Sequence, residues 1–266
     1  MNKKAINRKN ILSSLIKSLN PLKYTIALWE QGAASFGRTD RWSDIDLMLV
    51  VDDKKVGDAF KVIEKALGDV SKIDRKFRIP EPAWHGLSQC FYTLKDASPF
   101  LFIDICVIKK SIKDKFLQFR IHGKPLVYFD KSGIVKDDPV DKGAMLKKMR
   151  GRIETMKVTF PMLQMETLKE LNRGNDVEAF SFYLGNTFRP LVEILGIKHR
   201  PYHYNFHTRY VYYEFPKDVI ERLEKLVFVP DARALRKARD DAEIWFWETM
   251  RSIDIKEVKA LLDGKP

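Results

Sequence analysis

Hydrophobic and polar positions in the first half of the chain follow two different periods. Residues 45–51 are almost continuously apolar, which is typical of a strand buried on both faces. Apolar side chains recur every three or four positions over 11–19 and over 56–67, and this spacing predicts two amphipathic helices. Further apolar runs predict strands at 24–29, 90–94, 100–108 and 125–129.

The second half of the chain has a different pattern, with helical spacing in almost every segment. The polar stretch 136–139 separates the two patterns and predicts one domain at 1–138 and another at 139–266. The predicted fold class is α+β, a small mixed β-sheet flanked by helices and followed by an all-α bundle. The helices expected in that bundle are 141–158, 162–172, 176–195, 217–227 and 231–249, and the expected breaks between them are Pro161, Gly174, Gly196, Pro216 and Pro230.

Charge and cysteine content narrow the classes of protein to consider. The chain has 266 residues and a net charge of +12, which favours polyanionic partners, although a lysine-rich solvated surface explains the charge equally well. Cys90 and Cys106 lie in apolar runs and are expected to be buried free thiols, without a disulfide framework or zinc spacing. We find neither a secretory signal nor a membrane-crossing run, so we expect a cytoplasmic protein without a membrane partner.

Three aspartates carry the chemistry that the sequence predicts. Asp44 and Asp46 are two positions apart at the start of the 45–51 strand, so their carboxylates should project from one face. Two such anions repel unless a cation lies between them. Asp104, inside another apolar strand, needs a partner as well, because a lone buried carboxylate is costly. Three carboxylates are the oxygen ligands that Mg²⁺ or Mn²⁺ prefers, and they can hold two ions for phosphoryl displacement.

A glycine turn precedes the first two aspartates. Gly32 allows a phosphate to approach the backbone closely, and a helix beginning near Ala33 would add the dipole of its N-terminus. The glycine turn, the spacer, the Asp44-Ile45-Asp46-Leu47 run and the later Asp104 together resemble the DNA polymerase β-type nucleotidyltransferase superfamily. The helical second half is similar to that of aminoglycoside adenylyltransferase-like proteins, and the specific match covers under half of the chain.

The resemblance implies an activity and a set of site residues. It implies a Mg²⁺-dependent nucleotidyltransferase that transfers a nucleoside monophosphate, AMP from ATP, to a hydroxyl of a small acceptor such as an aminoglycoside. Asp44, Asp46 and Asp104 would be the metal-binding and catalytic residues. The nucleotide-binding residues would be Gly32, Ala33, Ser35, Arg38 and Ser43.

Several alternatives stay open. Ala33 stands where the family usually has serine or glycine, so a phosphate contact is lost unless Ser35 replaces it. Glu178 or Glu193 is a candidate general base, and the aromatic and basic segment 198–213 is either part of a pocket or plain packing. The acceptor could instead be RNA or a protein. A non-catalytic nucleotide-binding or interaction module is the remaining alternative.

Overall fold

The computed structural model describes residues 6–81, 83 and 85–264. The chain forms two compact units, Met1–Pro139 and Val140–Pro266. The fold is α+β as predicted, with one mixed sheet in the first unit and helices in the second. No helix among the described residues combines the length and the apolar character that crossing a membrane requires. Both cysteines are buried free thiols, which confirms that prediction.

The first unit is a sheet that, in the described part of the chain, has six strands. The spatial order is β3-β4-β5-β2-β1-β6, in which β2 and β5 are parallel and the other neighbouring pairs are antiparallel. The strands are β1 (Thr25–Glu30), β2 (Ile45–Val51), β3 (Ile73–Arg78), β4 (Ser88–Leu94), β5 (Ile103–Lys109) and β6 (Leu126–Asp130). The helices of this unit are α1 (Arg8–Leu19), α2 (Gly32–Ser35), α3 (Val56–Val70) and α4 (Phe119–His122).

The two faces of this sheet are covered differently. On one face, Ile45 and Leu47 of β2 and Ile103 and Ile105 of β5 pack against α1 and α3 in the larger core of the unit. On the opposite face, Met48 and Cys106 belong to a smaller core. Because side chains alternate along a strand, this smaller-core face also receives Asp46 and Asp104.

The second unit is helical, and its core is built from residues spaced by three and four along each helix. Phe160 stacks on Phe246 with ring centroids 3.6 Å apart, which joins the longest helix to the penultimate one. A π-helical stretch, Tyr183–Phe188, connects two of the helices. The α-helices are α5 (Lys142–Arg173), α6 (Asp176–Phe182), α7 (Arg189–His199), α8 (Val211–Glu214), α9 (Lys217–Val227), α10 (Ala232–Ser252) and α11 (Ile255–Leu262).

Two predicted helix breaks are wrong. Helix α5 continues through Pro161, because buried residues at helical spacing on both sides of the proline, such as Met156 and Gln164, anchor one helix to the core. The loss of one backbone N–H is therefore outweighed by packing. Helix α7 continues past Gly196, where a Cβ would lie 2.8 Å from the Cα of Tyr204. Gly196 thus permits a close backbone contact and does not end the helix.

Strand β3 and helix α11 are two of the described elements that were not predicted. Strand β3 has the sequence Ile-Asp-Arg-Lys-Phe-Arg. Because most of these residues are charged, the alternation of apolar and polar positions expected of a strand is not visible in the sequence. It forms because it lies at the edge of the sheet, where most of its side chains remain exposed. Helix α11 is only eight residues long, and Asp254 caps it by accepting a hydrogen bond from the N–H of Lys256.

Candidate active site

Two of the predicted site residues are neighbours across the parallel strands. Asp46 of β2 lies in register with Asp104 of β5, so both carboxylates lie on the smaller-core face of the sheet. The Cys106 thiol is close to both. Burial raises the pKa of this thiol, and the negative charges of Asp104 and Asp46 raise it further. The paired strands therefore hold two acidic side chains side by side, as the sequence predicts.

Asp44 lies just outside the strand, which begins at Ile45. The strand has its predicted bounds, so the expected projection of Asp44 and Asp46 from one face stays a prediction. Asp44 is still near enough for its charge to act on Asp104. Burial raises the pKa of Asp104, the hydrogen bond from Gln89 lowers it, and Asp44 raises it, with a net upward shift.

Gly32 forms the floor beneath Asp46. It has a φ of +59°, and a Cβ at this position would lie 1.8 Å from Oδ2 of Asp46. The N–H of the preceding residue, Gln31, donates to the carbonyl oxygen of Asp46 at 2.9 Å. Both the backbone conformation and the available space therefore require glycine here. The one-turn helix α2 starts at this residue, in agreement with the predicted helix near Ala33.

Gln89, which no predicted motif includes, binds Asp104 directly. Its amide nitrogen donates to the two carboxylate oxygens of Asp104 at 2.7 and 2.8 Å. His85 holds this amide in place, since its Nε2 is 2.9 Å from Oε1 of Gln89 and its Nδ1 accepts from the N–H of Leu87 at 3.0 Å. With Nδ1 as an acceptor, the proton of a neutral His85 is on Nε2 and points at Gln89. The signal in the sequence that could have identified Gln89 is that it is a polar residue within an alternating strand.

Arg8 is a second residue that the sequence did not reveal. Its guanidinium donates to the carbonyl oxygen of Asp44 and pairs with the buried carboxylate of Glu30. The hydroxyl of Tyr128 donates to the other oxygen of Glu30. Burial lowers the pKa of Arg8, whereas Tyr128, Asp46 and Asp44 raise it. This cation from α1 therefore fixes the end of the loop that presents Asp44.

The donor set has the right chemistry for a hard divalent cation, because carboxylate oxygens are the ligands that Mg²⁺ prefers. Gln89 nevertheless donates to both oxygens of Asp104, on the side where a cation chelated by that carboxylate would lie. Across residues 6–81, 83 and 85–264, no three His, Cys, Asp or Glu side chains are grouped closely enough to hold a metal ion. The candidate site therefore fits Mg²⁺ in the chemical type of its ligand atoms and not in their spacing.

No family model matches this chain. No curated protein matches it either. Among solved structures, an aminoglycoside 6-adenyltransferase from Bacillus subtilis is 11% identical, with 97% of this chain and 90% of that chain covered and a TM-score of 0.33. A STING-associated CdnE c-di-GMP synthase from Capnocytophaga granulosa is 12% identical, with 98% and 84% covered and a TM-score of 0.29. Likenesses this distant carry no weight for the function of this chain, which depends on its own residues.

Two serines proposed for nucleotide binding have their hydroxyls engaged within the fold. Ser35 is buried, and its hydroxyl is within hydrogen-bonding distance of the carbonyl oxygens of Gly32, at 2.9 Å, and His122, at 2.6 Å. It therefore does not supply the hydroxyl that Ala33 lacks. Ser43 donates to the carboxylate of Asp40 at 2.8 Å and accepts from its N–H at 2.9 Å. These contacts shape the loop between α2 and β2.

The remaining loop candidates have aromatic neighbours. The guanidinium of Arg38 lies 4.9 Å from the ring centroid of Phe36. The guanidinium of Arg41 lies 4.3 Å from the ring of Trp42, which is half exposed. Ala33 accepts a hydrogen bond from the N–H of Arg38 at 2.9 Å, which closes the turn after α2.

In the second unit, the candidates have structural partners. Glu193 forms a two-pronged pair with Arg152, at 2.6 and 2.8 Å, and its side chain is only 11% exposed. Glu193 is therefore a largely buried member of an ion pair, and its role as a general base stays a prediction. In segment 198–213, buried Arg200 donates to the carbonyl oxygens of His207 and Arg209, and Tyr202 donates to that of Leu262 at 2.6 Å. These contacts favour packing for that segment.

Proposed function

We propose that this chain is a nucleotidyltransferase that transfers a nucleoside monophosphate from an NTP, ATP in the first instance, to a hydroxyl of an acceptor. The in-register pair Asp46 and Asp104 above the Gly32 backbone is the observation that carries the proposal. Two carboxylates on adjacent central strands are costly for the fold. A site that binds a cation and a triphosphate explains why both are present.

The proposed roles follow from these positions. Asp44, Asp46 and Asp104 are the residues that would hold Mg²⁺, and the ion would supply neutralisation of the triphosphate charge and activation of the attacking hydroxyl. The backbone N–H groups of Gly32 and Ala33 contact the phosphates, since the hydroxyls of Ser35 and Ser43 bond within the fold.

The reaction is a displacement at the α-phosphorus. The acceptor oxygen forms a bond to that phosphorus, and the bond to the bridging oxygen of the β-phosphate breaks, so that pyrophosphate leaves. Asp104 takes the proton of the acceptor hydroxyl.

The test is transfer of label from α-labelled ATP in the presence of Mg²⁺ and a panel of acceptors that includes aminoglycosides, RNA and proteins. We expect Asp46→Asn and Asp104→Asn each to reduce transfer by about a hundredfold or more, since charge stabilisation at the reacting phosphate is lost. The control is Asp69→Asn, an exposed carboxylate at the end of α3, which should transfer like the wild type. Equal labelling by all four proteins would exclude the proposed mechanism.

A binding function without turnover is the second candidate, and the contact of Gln89 with both Asp104 oxygens favours it. Calorimetry of ATP binding with and without Mg²⁺ separates the two. Tight ATP binding without release of pyrophosphate, for any acceptor, would support the second candidate. If Gln89→Ala then gained transfer, the amide would be identified as the group that blocks the carboxylate.

A further inference from the structure

Three phenylalanine rings form a row across the strands next to the candidate site. Phe77 of β3 and Phe91 of β4 are in register, and their ring centroids are 6.3 Å apart with planes inclined by 4°. Phe91 and Phe102, which immediately precedes β5, are 5.3 Å apart with planes inclined by 25°. We call Phe77, Phe91 and Phe102 the aromatic row.

The row lies on the face of β4 that points away from the helices, and Phe77 belongs to the largely exposed edge strand β3. Phe77 is 60% exposed and Phe102 is 38% exposed, whereas Cys90 and Tyr92, which alternate with Phe91 along β4, are buried against the helices on the other face. A contiguous patch of exposed aromatic rings is unfavourable in water and marks a binding surface in soluble proteins. Because the rings are stacked on one another, a planar ligand can extend the stack at an end of the row.

The row leads to the candidate catalytic carboxylate. Phe91 is in register with Asp104, and Gln89, two residues earlier on the same face of β4, donates to Asp104. A second aromatic pair lies close in sequence to the site, with Trp42 and Phe100 at 4.6 Å in an edge-to-face contact. A ligand stacked on the row would therefore have its end near Asp104.

The net charge of the first unit fits a polyanion. The first 139 residues contain 25 Lys and Arg against 17 Asp and Glu. Arg75 is two residues from Phe77 on the edge strand, so it lies on the same face, and its side chain is 86% exposed. A polycationic acceptor would be repelled by this surface, whereas the phosphates of a nucleic acid would be attracted.

We propose that the aromatic row binds unpaired bases of a single-stranded nucleic acid and brings its terminal hydroxyl to Asp104 as the acceptor. Base stacking on exposed aromatic side chains of a sheet is the general mode by which proteins hold single strands, with basic residues along the phosphates. A duplex does not offer free base faces. The role as acceptor rests on the proposed nucleotidyl transfer, whereas the binding itself does not.

The first experiment measures binding in the absence of ATP. A fluorescein-labelled single-stranded 12-nucleotide RNA is titrated with the wild type, Phe77→Ala, Phe102→Ala and the conservative Phe77→Trp, and anisotropy is read at fixed salt. We expect each alanine variant to bind about tenfold more weakly and Phe77→Trp to retain affinity. Phe228→Ala removes a 76% exposed ring from the second unit and should bind like the wild type.

Three outcomes would overturn the inference. These are no binding by the wild type, equal affinity of all variants, and equally tight binding of the blunt duplex of the same sequence. Sedimentation velocity tests the other possible occupant of the aromatic row, which is a second copy of this chain. A dimer of the wild type that dissociates in Phe77→Ala would assign the row to self-association.

The second experiment separates the two proposals by offering the same RNA as acceptor with labelled ATP and Mg²⁺. Binding that depends on the row, without transfer to any acceptor, would overturn the proposed function and retain a nucleic-acid site. Transfer to another acceptor, with no RNA binding, would retain the proposed function and overturn this inference. Transfer to RNA that falls in parallel with affinity in Phe77→Ala supports both.

Discussion

Both units pair buried charges of opposite sign, but the sheet unit also brings charges of one sign together. In the helical unit, charges meet opposite charges: Arg152 pairs with Glu193 through two hydrogen bonds, and the guanidinium of buried Arg200 lies 3.8 Å from the carboxylate of Glu214. In the sheet unit, Arg8 pairs with Glu30 in the same way, but Asp46 and Asp104 lie in register on adjacent strands, and the charge of Asp44 acts on Asp104. The opposed pairs are explained by stability. The clustered carboxylates are not, and this difference indicates which unit carries the chemistry.

Among the predictions that test this comparison, the largest effect on transfer is expected from a substitution of Gly32. In Gly32→Ala the new Cβ would collide with Oδ2 of Asp46, so the carboxylate must move. We expect transfer to fall by about a hundredfold, since a displacement of about 1 Å in an active site has effects of that size. The assay is the labelled-ATP transfer reaction, with the melting temperature of each variant measured in parallel.

Gly37→Ala is the matched control for this prediction. Gly37 has a φ of +65°, close to that of Gly32, but nothing lies within 4 Å of a Cβ there. Both variants therefore lose about 1 kcal/mol of stability from the left-handed backbone, and only Gly32→Ala disturbs Asp46. Equal loss of transfer in the two variants would show that backbone strain, and not the position of the carboxylate, is responsible.

The next effect concerns the pair in the helical unit. Glu193→Gln leaves the partly exposed Arg152 without its counter-charge, so we expect the free energy of unfolding to fall by about 1–2 kcal/mol, after allowance for the 38% exposure of Arg152. Urea denaturation measures this. The control is Glu154→Gln, which removes an exposed pair with Lys157 and should cost under about 0.5 kcal/mol.

Transfer by the same variant tests the comparison itself. If Glu193 serves only the fold, the folded Glu193→Gln protein keeps its rate of transfer. Loss of turnover with an intact fold would make Glu193 the general base and would move part of the chemistry into the helical unit.

The sequence was informative where the pattern is local. The bounds of β2 are those of the apolar run 45–51, and α9 has the predicted bounds 217–227. Both could be predicted because an unbroken run of apolar residues and a helical spacing of apolar residues can each be recognised in a short stretch of sequence. Strand β3 was missed because an edge strand needs few apolar residues. Pro161 was misjudged because tertiary packing, which a single window does not contain, outweighs a local helix breaker.

The site follows the same division. Asp46, Asp104 and the glycine at position 32 were predicted because each breaks or marks a strand pattern. The contacts of Gln89 and Arg8 join residues 15 and 36 positions apart, and no spacing rule connects such positions. Ser35 was assigned to the ligand because a hydroxyl in a glycine turn looks available, whereas the fold uses it to hold the chain near His122.

The smallest expected effect is on the pH dependence of stability. Its direction follows from the sign of the pKa shift of Asp104. The raised pKa of Asp104, caused mainly by burial, means that the folded state holds this proton more tightly than the unfolded state does. Its contribution to stability is full below the unfolded pKa and is lost as pH rises through the folded pKa. Asp104→Asn removes the buried charge, so at pH 7 we expect this variant to melt slightly higher than the wild type while losing transfer.

Asp130, in the same sheet unit, has a pKa shift in the opposite direction. Burial tends to raise its pKa, but backbone hydrogen bonds, including the one from Val135 at 2.9 Å, outweigh burial and lower it. Asp130→Asn should therefore lose stability at pH 7, where the charged form is favoured in the fold, and the loss should vanish as pH falls through the folded pKa. Urea melts from pH 3 to 7.5 in EDTA measure both variants. Destabilisation by Asp104→Asn at pH 7 would make Asp104 a stabilising residue like Glu193 and would remove the contrast between the units.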